Sequence, residues 1–141
     1  MKNSTLQRSA VLITILGVGS FVGCGPAHYI GNWEIPTAQT LRPVMWSQAE
    51  LADPAFKKIK APAYSDADWT AFDALGQRLQ ISSAKLRQDF SKGEDWNALA
   101  AALGVHAGEL VDAAKAKNHQ AASAALVATR VTCRACHNEF R

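Results

Sequence analysis

The sequence predicts an all-α protein, an antiparallel four-helix bundle. Three observations lead there. Apolar residues recur at helical spacings through Trp69, Phe72, Leu75, Leu79, Leu86 and Phe90, and again through Trp96, Leu99, Leu103, His106 and Leu110. Beyond residue 36 no stretch sustains the apolar/polar alternation of a half-buried strand, and alanine dominates. The joins between the periodic stretches are short, so successive helices must run antiparallel.

The N-terminus stands apart from the bundle. Lys2 and Arg8 precede an uncharged run, SAVLITILGVGSFV, from Ser9 to Val22. That is the pattern of an export signal, too short for the about 20 apolar residues of a membrane span. The following FVGC, Phe21 to Cys24, resembles a bacterial lipobox, in which cleavage precedes a cysteine that is then acylated. Residues 1–23 are therefore read as a lipoprotein-type signal peptide and Cys24 as the lipid attachment. A plain signal cut near Gly23 or Ala27, or an uncleaved anchor, are the alternatives. The remaining 118 residues carry thirteen Lys and Arg against twelve acids. The +3 of the whole chain is thus largely a property of the leader, and no basic stripe points to nucleic acid. Residues 24–36 hold glycines, prolines and no helical period, and read as a tether; twelve such residues reach about 40 Å when extended.

The four-helix domain is expected over residues 37–141. Thr40 to Ala52 forms the first helix, with Thr37 or Thr40 as cap and Pro43 tolerable only in the first turn. Asp53 followed by Pro54 looks like a fresh cap and first-turn proline, so DPAFKKIK is expected as a separate short piece. Ser65 with Asp68 forms a capping-box variant that opens the second helix, and Gly93 closes it. Glu94 and Asp95 suit the start of the third, which Asn118 breaks. The last helix runs from about Gln120, with Ala124, Val127, Val131 and Phe140 among its apolar positions. So many alanines bury little area each, at about 25 cal/mol per Å², and something large and apolar is needed to complete the core.

The final residues read CRACHNEFR. C-x-x-C-H is the attachment signature of c-type haem. On a helix Cys133 and His137 are i, i+4 neighbours and Cys136 lies beside the histidine. Two thiols can then add to the two vinyl groups on one porphyrin edge while the imidazole reaches the iron. A disulfide with a structural histidine is the plain alternative. A zinc knuckle wants a fourth ligand that the sequence does not offer nearby. A thioredoxin-like site wants a strand before the first cysteine, where this chain has helix.

C-x-x-C-H-x-x-aromatic-Arg closing the last helix of an alanine-rich four-helix chain resembles the class II cytochromes c, the cytochrome c′ family. Cys133, Cys136, His137, Phe140 and Arg141 fill the pattern. The resemblance implies one covalent haem clasped near one end of the bundle, with its distal face against the first helix. It makes His137 the proximal iron ligand, sets Arg141 where it can tune that ligand, and leaves Phe140 a packing role. Some family members leave the sixth iron position empty, and others fill it with a methionine of the first helix. Met45 is the one methionine beyond the leader and lies in that helix. The family often places an arginine four residues before this position; here Leu41 stands there, Arg42 is one later, and alignment on Arg42 would bring Trp46 to the iron.

The other candidates are weaker. His106 shares its helix's apolar stripe and reads as a core or haem-edge histidine, while His28 and His119 read as solvated. Trp33, Trp46, Trp69 and Trp96 fit a haem pocket or ordinary core equally well. Lys57, Lys58 and Lys60 read as a solvated face, or else a patch for an acidic redox partner. Together these expectations describe a periplasmic electron carrier, membrane-held through Cys24, with His137 and Met45 as axial ligands and redox proteins as partners. The alternative is a five-coordinate haem protein that binds nitric oxide or carbon monoxide. No distal acid–base pair supports an enzyme, and pairing of two bundles as a homodimer stays open.

Overall fold

A computed structural model describes residues 30–141. The leader at 1–23, Cys24, His28 and the first part of the expected tether lie outside these residues. The described chain runs through a 3-10 turn, Ile35–Thr37, and four helices: α1 Leu41–Phe56, α2 Asp66–Gln88, α3 Glu94–Lys115 and α4 His119–Phe140. Among the described residues there is no strand, so the predicted four-helix class holds.

Local signals set most boundaries. Pro43 falls in the first turn of α1, where its missing N–H has no partner to lose. Thr40 occupies the cap position in extended conformation, but its hydroxyl makes no capping bond. Ser65 and Asp68 form the expected capping box: Ser65 Oγ accepts from Asp68 N at 3.2 Å and Asp68 Oδ2 accepts from Ser65 N at 2.9 Å. Asn118 caps α4 by accepting from Ala121 N at 3.1 Å.

Four expectations need correction. No new helix begins at Asp53–Pro54; α1 continues through both to Phe56. Ala52 and Ala55, 6% and 4% exposed, hold the last turn against the core, and a proline so near the end disturbs only one hydrogen bond. Phe90 lies beyond the end of α2, yet its ring still packs on the core. In α4 the buried face is Ala122, Ala125, Leu126, Thr129 and Thr132, whereas Val127 and Val131 are exposed. Residues 30–36, the described part of the expected tether, pack on the bundle: Ile30 and Ile35 are buried against Val44, with Ile81 and Phe90 alongside.

The core is uneven. α2 and α3 share the largest interface, α3 and α4 the next, and α1 and α4 barely meet. Leu75, Leu79, Leu103, Leu110 and Leu126 fill the centre with alanines of α3 and α4. At the far end Tyr64 packs its ring edge to Trp69 and Phe72 and stacks on His119, closing the bundle where α1 ends and α4 begins. The end with the start of α1 and the finish of α4 is left open.

Candidate haem cleft

The opening lies between α1 and α4, with Lys92 and the start of α3 along its side. A cavity of about 550 Å³ is lined by Leu41, Arg42, Met45, Trp46, Trp96, Cys136, His137, Phe140 and Arg141 among others. A smaller recess of about 30 Å³ runs inward past Met45, Gln48, Leu86, Leu103, Thr132, Cys133 and His137. The larger volume falls in the roughly 300–1,000 Å³ range of ligand and cofactor sites. It exists because the helices on its two sides meet so little.

Helical register brings the motif to this wall. Cys133 and Cys136 are half-buried and pack on the core, while His137 is exposed at the cleft. Both thiols are free. Burial pushes the Cys133 thiol up to about 11, and the neighbouring Cys136 adds to the shift. Burial also raises the Cys136 thiol, though the Lys92 ammonium opposes it. Both therefore stand as neutral S–H groups at ordinary pH, suited to an apolar neighbour rather than to a metal that demands thiolate. Among the described residues no group of three His, Cys, Asp or Glu side chains could hold a metal ion, so the zinc alternative finds no support.

Met45 reaches the cleft from α1. It lines both the outer cavity and the inner recess, as His137 does from α4. The charged residues on the outer cavity, Arg42, Lys92 and Arg141, are all basic. Phe140 meets Trp96 edge to face, with ring centroids 5.2 Å apart, which gives it a packing role. The guanidinium of Arg42 sits 4.4 Å from the centre of the Trp46 ring, so both residues are committed to the rim.

Several residues fall elsewhere than expected. His106 is neither in the core nor on the cleft; its Nδ1 lies 3.0 Å from Glu109 on the surface of α3. His119 is not simply solvated, since its Nε2 is 2.9 Å from the Ala61 carbonyl in the far-end aromatic cluster. Trp69 belongs to that cluster too, and Trp33 is exposed, so only Trp46 and Trp96 line the cleft. Lys58 pairs with Asp68 at 3.0 Å, and Lys57 and Lys60 lie with it at the end away from the cleft.

Three polar cleft residues escaped the sequence analysis. Gln48 and Thr132 line the inner recess, both 8% exposed. Gln48 follows Met45 by three positions, a spacing that puts both on one helix face and could have revealed it. Lys92 had no such signal. It sits in a loop, 4.9 Å from the centre of the Trp96 ring, and donates to the Phe140 carbonyl at 3.3 Å.

The residues present fit a haem. The cleft offers an apolar slot, two neutral thiols at helical spacing, an imidazole beside them and a thioether on the other wall. No curated protein and no solved structure gives a match. The family model described as Cytochrome C′ matches residues 36–141, from the 3-10 turn through all four helices. With that match over the bundle and its motif, the chain belongs to the cytochrome c′ family, and a haem cofactor comes with the membership.

Proposed function

We propose that this haem protein carries single electrons, with one haem held covalently by Cys133 and Cys136 and ligated by His137 and Met45. The observation that carries the reading is the shared placement of Met45 and His137: each lines the same cavity and the same recess, one from α1 and one from α4. When bound, the haem supplies a one-electron redox centre. The chain supplies the rest. Leu86, Trp96, Leu99 and Leu103 keep water from the inner recess. Arg42, Lys92 and Arg141 would meet the carboxylates of the group at the rim. A thioether ligand favours ferrous iron over what a second histidine would give, so the potential is expected to be high. The reading is of a carrier, without a catalytic residue.

We further infer export to the bacterial periplasm, cleavage after residue 23 and attachment of the protein to a membrane through lipid on Cys24. Lys2, Arg8, the apolar run 9–22 and the FVGC tetrad support this. Among the described residues no helix is long and apolar enough to cross a membrane.

Met45→Ala in the holoprotein tests the ligand. Wild type should show a low-spin ferric spectrum with the weak red band of methionine on iron. The variant should turn high-spin or take water, its potential should fall, and carbon monoxide should bind the ferrous form faster. If Met45 only packs, its removal leaves coordination unchanged and costs roughly 2–5 kcal/mol of stability. A high-spin wild type that takes carbon monoxide directly would replace the carrier by the gas-binding reading.

A further inference from the structure

The segment before α1 is pinned from both sides. Ile30 and Ile35, 8% and 0% exposed, insert beside Val44. Two cations of α2 reach over to hold it. Arg78 Nε donates to Asn32 Oδ1 at 2.7 Å, and Lys85 Nζ donates to the Pro36 carbonyl at 2.7 Å. Between these fixed points the backbone makes a tight turn. Glu34 N donates to the Gly31 carbonyl at 3.0 Å, and Gly31 N donates to Glu34 Oε2 at 2.7 Å.

Trp33 is at the tip of that turn and is 80% exposed, above Val131 at 61% and Val105 at 60%. Its indole lies back over Gly31, where an added Cβ would come within 3.1 Å of Trp33 Nε1. A side chain at position 31 would crowd the ring. The neighbours of Trp33 are thus committed inward while the largest apolar side chain of the turn is presented outward. A tryptophan exposed on a loose chain can fold away; on a turn held at Ile30, Asn32 and Ile35 it cannot.

We propose that Trp33 is a membrane contact, inserting into the interface of the bilayer that carries the lipid on Cys24. The proposal rests on the lipid-anchor reading. Five residues, 25–29, separate Cys24 from buried Ile30. Those six steps span at most about 20 Å, so the turn is held close to the surface in which the acyl chains sit. An indole with an apolar body and one N–H suits that layer, where one side is hydrocarbon and the other is wet. Trp33 would add an interfacial contact to the acyl chains on the same short stretch. A redox partner is less favoured as the occupant. The turn is fixed to α2 on the side of the α1–α2 pair, whereas the cleft opens between α1 and α4. A bilayer at Trp33 leaves that cleft open to soluble partners.

The test is hydroxyl-radical footprinting of the mature acylated holoprotein on vesicles of phosphatidylethanolamine and phosphatidylglycerol. Oxidation of Trp33 is read by peptide mass. The control is the Cys24→Ser holoprotein, exported behind a cleavable secretory signal and kept in solution without vesicles. Trp33 should oxidise severalfold more slowly in the anchored protein, while Trp46 at the cleft rim oxidises equally in both. Acylated Trp33→Ala should also move faster from these vesicles to acceptor vesicles. Equal oxidation of Trp33 in the two forms, with acyl mass found on Cys24, overturns the membrane contact and leaves the anchor standing. An unmodified Cys24 removes the anchor and the contact together. Protection that appears only when solubilised membrane proteins are added assigns the surface to a protein partner and overturns the proposal.

Discussion

Cys133 and Cys136 show how much a residue's surroundings add to its motif. The spacing C-x-x-C-H can be read from any printed sequence, but burial decides the state of the sulfurs. The Cys133 thiol is raised from 9.0 to about 11, chiefly by desolvation. A raised value means that the folded chain holds this proton more tightly than the unfolded chain does. The stability this contributes is whole below about pH 9 and is lost as pH rises through about 11. In the folded haem-free chain, iodoacetamide should therefore alkylate both thiols slowly near neutral pH. Cys136, partly relieved by Lys92, should react first, and Cys133 should speed up only as pH approaches 11. Fast alkylation of Cys133 at about pH 8, as for a free thiol, would contradict its burial. Met45 was a candidate because the family resemblance implies a distal methionine in the first helix, and this chain has one methionine beyond the leader. Gln48 and Lys92 were not, since neither residue type announces a cofactor.

At the scale of elements, α2 and α3 depend on small residues at their contact. A Cβ at Gly76 would lie 2.5 Å from Val111 Cγ2 and 2.8 Å from the Ala107 carbonyl. Backbone cannot yield as a side-chain tip does. Gly76→Ala should therefore cost about 1–3 kcal/mol through overpacking, although alanine favours a helix by roughly 1 kcal/mol. At Gly104 the first obstacle is Ser83 Oγ at 2.7 Å, a movable group, so Gly104→Ala should cost less. Urea unfolding of the two variants gives the comparison, and a Gly76→Ala protein at least as stable as wild type would deny the close approach. Elements with a local cause were legible: the Ser65–Asp68 box, Pro43 in a first turn and the break at Asn118 all act within one helical turn. The continuation of α1 through Pro54 was not, because what holds it is the burial of Ala55 by distant residues. The inward face of α4 was hidden differently. Alanine occurs all round this helix, so periodicity gave little contrast, and Thr129 and Thr132 read as polar while packing inside. The docked turn at residues 30–37 was missed because glycine and proline mark a loop equally well when it is pinned or free.

For the whole molecule, the open cleft is a clear departure from a filled bundle. Its apolar walls face one another across about 550 Å³ rather than packing together. A haem in that space adds contacts that the native state alone can make, so it must stabilise the fold. The holoprotein should unfold at a clearly higher urea concentration than the haem-free chain, and the haem-free chain should unfold with poorer cooperativity. Coincident midpoints and slopes for the two forms would show that the cavity does not weaken the bundle.

The scant meeting of α1 and α4 has a further consequence, for evolvability. In the proposed arrangement the thiols that would hold the cofactor belong to α4, and the thioether that would fill the sixth position belongs to α1. Walls that touch each other so little couple only through the slot they share, so most substitutions on one leave the packing of the other as it was. Under that arrangement a lineage could exchange Met45 for a smaller or inert side chain and alter what the iron does without relearning how to hold it. Attachment and chemistry become separately inherited traits, carried by opposite walls of one slot.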